Sequence, residues 1–180
     1  MDVRTTSLFL ALLAVAAQAV VAVVVATALL ARASPPVARL KAALHRTVDP
    51  NALGLAFAVA AVATAGSLYF SEVAHFPPCE LCWYQRIAMY PLVPLLGIAT
   101  RRRDRAIRPY AAVLAAAGAL VATYHVLLER FPRLESGACD PTNPCTLIWV
   151  NRFGYLTIPA MALTAFVLIL VLLRLQGDPE

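Results

Sequence analysis

The sequence predicts an all-α integral membrane protein, built as a four-helix transmembrane bundle with one extra transmembrane helix at its N-terminus. Apolar residues make up 61% of the 180 positions and charged residues only 14%, against roughly 25% charged in soluble domains. The apolar residues also fall into long runs, and a run of about 20 residues at about 1.5 Å rise per residue crosses a bilayer core. Five spans are predicted, at residues 8–30, 52–70, 83–100, 109–128 and 155–173.

The distribution of positive charge predicts the orientation of these spans. The sequence pI is 9.3, but most of the 15 Lys and Arg residues cluster on one side of a five-span protein. This clustering argues against a nucleic-acid partner. By the positive-inside rule it places the N-terminus outside and the C-terminus in the cytoplasm, so both cysteine-bearing segments face the exterior. The clustered residues are Arg32, Arg39, Lys41, Arg46, Arg101, Arg102, Arg103, Arg105, Arg108 and Arg174.

The first span, within residues 1–33, is rich in Ala and Val and predicts an extra transmembrane helix that anchors the chain beside the bundle. A cleaved signal peptide ending at Ala31-Arg32-Ala33 is the alternative. The apolar run is longer than the roughly 7–15 residues of a signal core. Cleavage would also carry the first cysteine pair to the cytoplasm, against the charge distribution. We therefore expect this helix to be retained.

The remaining chain divides into three parts. Residues 34–50 predict a cytoplasmic amphipathic connection, because Ser34-Pro35-Pro36 ends the first helix and apolar residues then recur at helical spacing. Such a helix is expected to lie on the inner leaflet. Residues 51–176 predict the four-helix bundle with two external cysteine-bearing loops, and residues 177–180 a cytoplasmic tail. The recurring apolar residues of the connection are Val37, Leu40, Leu44 and Val48.

Two cysteines, Cys79 and Cys82, lie one helical turn apart just before the third apolar run. If a helix starts near Cys79, its free N–H groups and the positive end of its dipole face the sulfurs. Arg86 lies four residues after Cys82 on the same face. Both features favour the thiolate, which is the reactive form of cysteine. Pro77-Pro78 holds the preceding link extended, so the pattern predicts a redox pair at the membrane edge.

The other candidate groups follow the fourth span. His125 lies near its outer end, and an ionisable residue inside a span is a functional hypothesis by default, with a packed, hydrogen-bonded side chain as the alternative. The next loop contains Cys139 and Cys145 with two prolines between them, which restrict the geometry of a disulfide. Strained or exposed disulfides tend to exchange. A structural disulfide is the alternative.

The four cysteines allow three pairings, and proximity favours Cys79 with Cys82 and Cys139 with Cys145. A c-type haem site is excluded because Trp83 follows the CxxC motif, and the βαβ context of a thioredoxin motif is absent. A zinc site formed by all four fits poorly, because five residues separate the second pair, so no metal is expected. Two dithiol pairs beside an intramembrane cation predict electron flow to a lipid-soluble carrier, for which a quinone fits.

The segment Cys-Glu-Leu-Cys-Trp-Tyr-Gln-Arg at residues 79–86, with the apolar run after it, resembles the disulfide bond formation protein B (DsbB) family. It is most similar to the Gram-positive-type relatives such as BdbC. Tyr124-His125, the second cysteine pair and residues 153–159 support the resemblance, which runs from about Ala52 to Leu173. It implies a bundle in the bacterial inner membrane that reoxidises a DsbA-like thioredoxin-fold thiol oxidase and reduces a membrane quinone, either menaquinone or ubiquinone.

Carried over by position, the resemblance makes Cys79 and Cys82 the quinone-proximal pair, with the Cys82 thiolate contacting the ring. Arg86 would assist quinone reduction, and His125 occupies the position of a quinone-side histidine. The remaining pair, Cys139 with Cys145, would meet the protein partner, with Cys139 forming the mixed disulfide.

Two departures from the family pattern stand out: the extra N-terminal span has no counterpart in the four-span core, and the second cysteine pair is closely spaced. Two other functions stay open at this point. A vitamin K epoxide reductase-like enzyme shares the bundle and the chemistry, although it usually carries the quinone-side CxxC late in the bundle. A non-enzymatic membrane scaffold would use the disulfides only to link its outer loops.

Overall fold

The computed structural model describes residues 2–135, 137 and 139–176, and the predicted tail at 177–180 lies outside the described residues. The regular elements of the described chain are all helices, and one isolated bridge joins Arg152 and Leu156. The all-α prediction is therefore confirmed. The helices are α1 (Val3–Leu30), α2 (Pro35–Val48), α3 (Ala52–Leu68), α4 (Glu80–Arg102), α5 (Arg108–Arg130) and α6 (Ile158–Leu175), and α3 continues as a π-helical turn, Tyr69–Val73.

Four helical segments of the described chain are long and apolar enough to cross a membrane: Val3–Leu30, Pro35–Val73, Arg105–Arg130 and Ile158–Leu175. They overlap four of the five predicted spans. The fifth predicted span lies in α4, which is long enough at 23 residues but is not among the four. The polar residues Gln85 and Arg86 lower the mean hydropathy of α4. Both side chains are nevertheless buried in the bundle. The fold is that of a multi-pass membrane protein, and the count of five spans is not confirmed.

Helices α3, α4, α5 and α6 surround one continuous apolar core. The core includes Leu92 and Leu96 of α4 and Phe166 and Ile169 of α6, all completely shielded. The ring of Phe166 lies directly against Gly118 of α5, at the place where a side chain would otherwise project. This contact brings α5 and α6 close together. It illustrates the use of small residues at helix interfaces in membranes, where no water drives the helices together.

Two helices begin at residues other than the first residues of the predicted spans, 83 and 155. Helix α4 begins at Glu80 with Cys79 as its N-cap residue, so the CxxC segment does supply its first turn, as expected for the shortest apolar run. Helix α6 begins only at Ile158, because the chain first makes a tight turn. In that turn Phe153 and Gly154 have φ values of 55° and 76°. These values lie in the left-handed region, which occurs in turns and interrupts helices and strands.

The first two helices lie outside the four-helix core. Helix α1 packs along α6, where Ala11 and Ala14 share a small cluster with Leu156 of the preceding turn. Helix α2 follows Ser34, and none of its side chains is buried. An unburied helix with apolar residues at helical spacing is what the sequence predicts for a helix lying on a membrane surface.

Candidate functional site

Both cysteine pairs lie at the same end of the bundle. Cys79 and Cys82 are free thiols, and their Sγ atoms are 2.8 Å apart. Cys139 and Cys145 form a disulfide with a Cα–Cα distance of 5.9 Å, which is the pairing that proximity favours. Three of the cysteines, Cys79, Cys139 and Cys145, share one buried apolar cluster with Leu81 and Leu128, and Cys82 packs against it. The fold therefore places a dithiol and a disulfide next to each other, although the two pairs are far apart in sequence.

The cysteine loop is attached to the start of α4 by two polar contacts. Asn143 donates a hydrogen bond from Nδ2 to the carbonyl oxygen of Pro78, at 3.1 Å. His125 Nε2 lies 3.0 Å from the carbonyl oxygen of Cys145 and 3.8 Å from Sγ of Cys79. His125 is 3% exposed, so these contacts are shielded from water. His125 therefore contacts both cysteine pairs.

The neighbouring Gln85 determines which nitrogen of His125 carries the proton. Its Nε2 group donates to the Leu81 carbonyl oxygen at 3.2 Å and faces His125 Nδ1 at 2.9 Å. An amide nitrogen can only donate, so Nδ1 accepts. Nε2 is then the nitrogen that donates, to the carbonyl oxygen of Cys145. Sequence analysis did not single out Gln85, and its only signal is a polar residue in an apolar run, three positions after Cys82.

The surroundings of Cys79, just ahead of α4, favour its thiolate. The pKa of the Cys79 thiol lies below its ordinary value, mainly because the Cys82 thiol donates a hydrogen bond to the sulfur. His125 adds a second hydrogen bond, while burial acts in the opposite direction. Because the two thiols are hydrogen-bonded, their protons are lost in two separate steps that belong to the pair and not to either residue alone. The first of these steps is favoured, and it gives the thiolate form that reacts in disulfide exchange.

Arg86 lies one turn below Cys82 and is 9% exposed. It donates from Nε to Ser67 Oγ and from Nη2 to the Ser67 carbonyl oxygen, both at 3.1 Å. Its guanidinium also lies over the rings of Trp83 and Tyr90, with centroids 5.1 and 5.9 Å away. Within the described part of the chain, no carboxylate forms an ion pair with it. A buried cation held by neutral groups retains an unbalanced charge for a ligand.

Ser67 is a site residue that sequence reasoning missed. Its hydroxyl accepts from Arg86 and from the Tyr90 hydroxyl, at 3.1 and 3.2 Å. It lies on α3, nineteen positions before Arg86, just ahead of the π-helical turn. A serine in an Ala- and Gly-rich helix offers no signal of this role in the sequence, because its partners belong to another helix.

Glu80 is a second missed residue. Its carboxylate and the sulfurs of Cys139 and Cys145 all lie within 4.8 Å of one another. Oxygen Oε2 of this side chain is buried, and it has no hydrogen-bond partner within the described residues. Its position in the first turn of α4 suits a carboxylate, because the helix dipole is positive there.

A cavity of about 430 Å³ opens below the first cysteine pair. Cys82, Arg86 and His125, the predicted cofactor-side residues, lie together at its wall with Gln85. The remaining wall is almost entirely apolar and includes residues of α1, α3 and α6, among them Leu13, Val59 and Leu168. The cavity therefore has one end with hydrogen-bond donors and a thiol, and a long apolar remainder. Such a shape suits a ligand with a polar ring and a hydrocarbon tail.

A dithiol and a disulfide in one apolar cluster, at one end of a membrane-type helical bundle, define a membrane thiol–disulfide oxidoreductase. Comparison with protein families identifies the particular group. The family model described as "Disulfide bond formation protein DsbB" matches residues 49–176. The chain belongs to the DsbB family, whose members are oxidoreductases.

Curated relatives agree with this assignment. The chain is 46% identical to disulfide bond formation protein C of Bacillus subtilis over 122 residues, covering 67% of this chain and 88% of that protein. It is 45% identical to a probable disulfide formation protein of Oceanobacillus iheyensis over 133 residues, covering 71% of this chain and 92% of that one. No solved structure matches the chain. The family assignment favours an enzyme of the DsbB type over the two alternatives that the sequence left open.

Proposed function

We propose that this chain is a membrane thiol:quinone oxidoreductase that reoxidises a DsbA-like thioredoxin-fold thiol oxidase outside the cytoplasm. Membership of the DsbB family implies the first half of this reaction, reoxidation of a thiol oxidase. The observation that carries the second half is the cavity that places Cys82 beside the buried Arg86. The overall change moves two electrons and two protons from the partner's thiols to the quinone.

The cavity fits a quinone in chemistry and in size. A planar ring with two carbonyl oxygens needs hydrogen-bond donors, and Arg86 supplies them at one end of the cavity. The whole cavity, of about 430 Å³, lies within the roughly 300–1,000 Å³ of ligand sites, and its apolar part can take a hydrocarbon tail. When bound, menaquinone or ubiquinone would supply a two-electron, two-proton acceptor.

Cys139 and Cys145 are proposed to meet the partner. A thiolate of the reduced partner attacks Sγ of Cys139, and Cys145 leaves as a thiolate. The partner's second thiolate then attacks its own sulfur in the mixed disulfide, so that the partner leaves oxidised and Cys139 is released reduced. The two sulfur residues are 6% and 1% exposed, with Cys139 the more exposed. The attack therefore requires the loop to move outward, and Cys139 is the more accessible target.

An internal exchange is proposed to carry the electrons to the first pair. A thiolate of the reduced loop attacks the disulfide of oxidised Cys79 and Cys82, which takes up two electrons and restores the Cys139–Cys145 disulfide. His125 supports this exchange by holding the Cys145 backbone 3.0 Å from its own ring and Cys79 at 3.8 Å.

At the cavity, Cys82 and Arg86 are proposed to act together. The Cys82 sulfur faces the cavity as the electron donor, and formation of the bond between Cys79 and Cys82 releases two electrons. Arg86 stabilises negative charge that develops on a ring oxygen, because a fixed cation in an apolar site needs no reorganisation at that moment. His125, at the same wall, is proposed as the quinone-side histidine.

The reduction of quinone must be favourable enough to drive the earlier disulfide exchanges. An oxidase of the DsbA type has a reduction potential of about −120 mV, and each 30 mV corresponds to about 1.4 kcal/mol for a two-electron couple. An acceptor of comparable or higher potential, together with removal of quinol, is therefore required. This requirement explains why the cysteine relay ends at a membrane carrier and not at a soluble thiol.

Two cysteine variants test the relay. Cys139→Ser should abolish turnover with a reduced thioredoxin-fold oxidase, because the mixed disulfide cannot form. It should retain reduction of a short-chain quinone by dithiothreitol, which can reach the first pair directly. Cys82→Ser should abolish quinone reduction by either donor. The loss of quinone absorbance and the thiol state of each cysteine, determined by alkylation and mass spectrometry, provide the measurements.

The two variants serve as controls for each other, since each leaves the opposite cysteine pair intact. Full turnover of Cys139→Ser with the protein partner would overturn the order of the relay. Cysteines whose redox state did not respond to quinone in the unchanged protein would overturn the proposed function as a whole.

A further inference from the structure

The first helix, α1, forms one wall of the cavity below Cys82. The contributing side chains recur at intervals of three and four positions, which places them along one face of the helix. They are Leu10, Leu13, Ala14, Ala16, Ala17 and Val20. The helix lies outside the part of the chain that matches the DsbB family, which begins at residue 49. The wall is therefore an addition to the bundle that defines the family.

Polar contacts fix this helix to the turn that follows the cysteine loop. Arg152 donates from Nε and Nη2 to Ser7 Oγ, at 3.1 and 2.6 Å, and from Nη2 to the Arg4 carbonyl oxygen at 3.0 Å. Farther along, Gln18 Nε2 donates to Thr164 Oγ1 of α6 at 3.0 Å. The Tyr155 hydroxyl donates to Gln18 Oε1 at 2.8 Å. Two separate levels of α1 are thus tied to the bundle.

Small residues bring the same helix close to its neighbours. Ala11 is fully buried and Ala14 is 7% exposed, and both pack against Leu156 in the turn before α6. On the other side, Leu10 reaches α3, where a Cβ added to Gly66 would lie 2.9 Å from its Cδ1 atom. Helix α1 therefore packs against both the α6 region and α3, and it covers the cavity between them.

We propose that α1 is part of the quinone site and contacts the isoprenoid tail of the quinone. The proposal rests on the proposed function, because it assigns a second part of the same site. The ring belongs at the end with Cys82 and Arg86, where donors are available. The tail then lies along the apolar remainder, and α1 supplies only apolar atoms to that part of the wall. The first helix thereby determines affinity for the tail while leaving the ring chemistry to the bundle.

Two matched pairs of substitutions on the full-length protein test this role. Ala17 lines the cavity, whereas Ala19 is exposed on the outer face of the same helix. Ala17→Phe should weaken binding of a radiolabelled benzoquinone carrying two isoprene units by about tenfold, because the new ring occupies the space of the tail. The same benzoquinone without a tail should bind equally well to Ala17→Phe and to the unchanged protein. Ala19→Phe should leave both affinities unchanged.

The second pair of substitutions shortens an apolar side chain, so it removes contact with the tail instead of filling its space. Leu13 lines the cavity and Leu12 does not, although the two are 40% and 54% exposed. Leu13→Ala should weaken binding of the tailed quinone by about threefold or more, because it removes apolar atoms from the wall. Leu12→Ala should leave this affinity unchanged. Affinities are measured by equilibrium binding in nanodiscs of one lipid composition, so that partitioning of the tail into lipid is the same for every variant.

The outcomes separate the two proposals. Equal affinities within both matched pairs would overturn the role of α1 while leaving quinone binding by the bundle intact. Equal weakening of the tailed and tail-less quinones by Ala17→Phe, with no effect of Leu13→Ala, would mean that the substitution disturbs the cavity in general, and it would also overturn the tail contact. Absence of binding or reduction of either quinone by the unchanged protein would overturn the proposed function itself.

Discussion

Ser67 is the residue on which the position of Arg86 depends. Its hydroxyl and carbonyl oxygens accept two hydrogen bonds from the guanidinium, and its hydroxyl also accepts one from Tyr90. A buried arginine without such acceptors is costly, because its donors lose water without replacing it. The spacing of Cys82 and Arg86 predicted that the cation lies on the same face as the thiol. It did not predict what holds the cation there.

We expect Ser67→Ala to raise the KM for quinone by about tenfold, which corresponds to a loss within the roughly 1–3 kcal/mol of an unsatisfied buried group. The rate of disulfide exchange between Cys139–Cys145 and a partner dithiol should not change. The measurement is steady-state quinone reduction with separate determination of kcat and KM. Ser67→Thr, which keeps the hydroxyl, should restore the affinity.

A matched control is Thr123→Ala, which removes a hydroxyl bonded only to its own helix, at the Ala119 carbonyl oxygen, on an exposed face. It should leave both kinetic constants unchanged. An unaltered KM in Ser67→Ala would show that Arg86 is positioned by its contacts with the two rings instead.

At the scale of elements, the packing of α5 against α6 determines the shape of the bundle. Gly118 leaves no room for a side chain, because the three atoms that an added Cβ would meet all belong to the ring of Phe166. Phe166 is completely buried and also lines the cavity. The same contact therefore serves the helix interface and the wall of the site.

Gly118→Ala should lower the midpoint of thermal unfolding in detergent, because overpacking a tight interface costs about 1–3 kcal/mol. Gly54→Ala is the matched control, since the added Cβ would lie at an ordinary contact distance of 3.5 Å from Thr100 Cγ2. It should leave the midpoint unchanged or raise it slightly, because alanine favours the helix. Scans at one fixed heating rate compare the variants, and equal midpoints would show that Phe166 moves aside without cost.

At the scale of the whole molecule, the orientation in the membrane is a prediction from charge alone. We propose that α4 is the fifth span, because both of its neighbours in the chain, Pro35–Val73 and Arg105–Arg130, are candidate spans. Its 23 residues are also long enough to cross the bilayer core, at about 1.5 Å per residue. With five spans, the N-terminus and both cysteine pairs lie outside, and the basic connections lie in the cytoplasm.

Alkaline phosphatase fusions, which are active only outside the cytoplasm, test this topology. A fusion after Arg133 should be active, and fusions after Ala33 or Arg103 should be inactive. Fusions of a fluorescent protein that folds only in the cytoplasm should give the opposite pattern at all three positions. Activity of the phosphatase fusion after Arg103 would exclude α4 as a span, and inactivity after Arg133 would place the cysteine loop in the cytoplasm.

The sequence by itself determined the helical class and the adjacency of Cys79, Cys82 and Arg86, and it carried the resemblance to the family. The class and the adjacency follow from composition and from spacing within one helix, which is a local property of the chain. Only the tertiary structure decided that Ser67 holds Arg86, that His125 connects the two cysteine pairs, and that α1 closes the cavity. Each of these depends on which helices become neighbours. Which helices become neighbours depends on the packing of complementary surfaces that are far apart in the chain. The spacing of residues within a single helix therefore does not predict it.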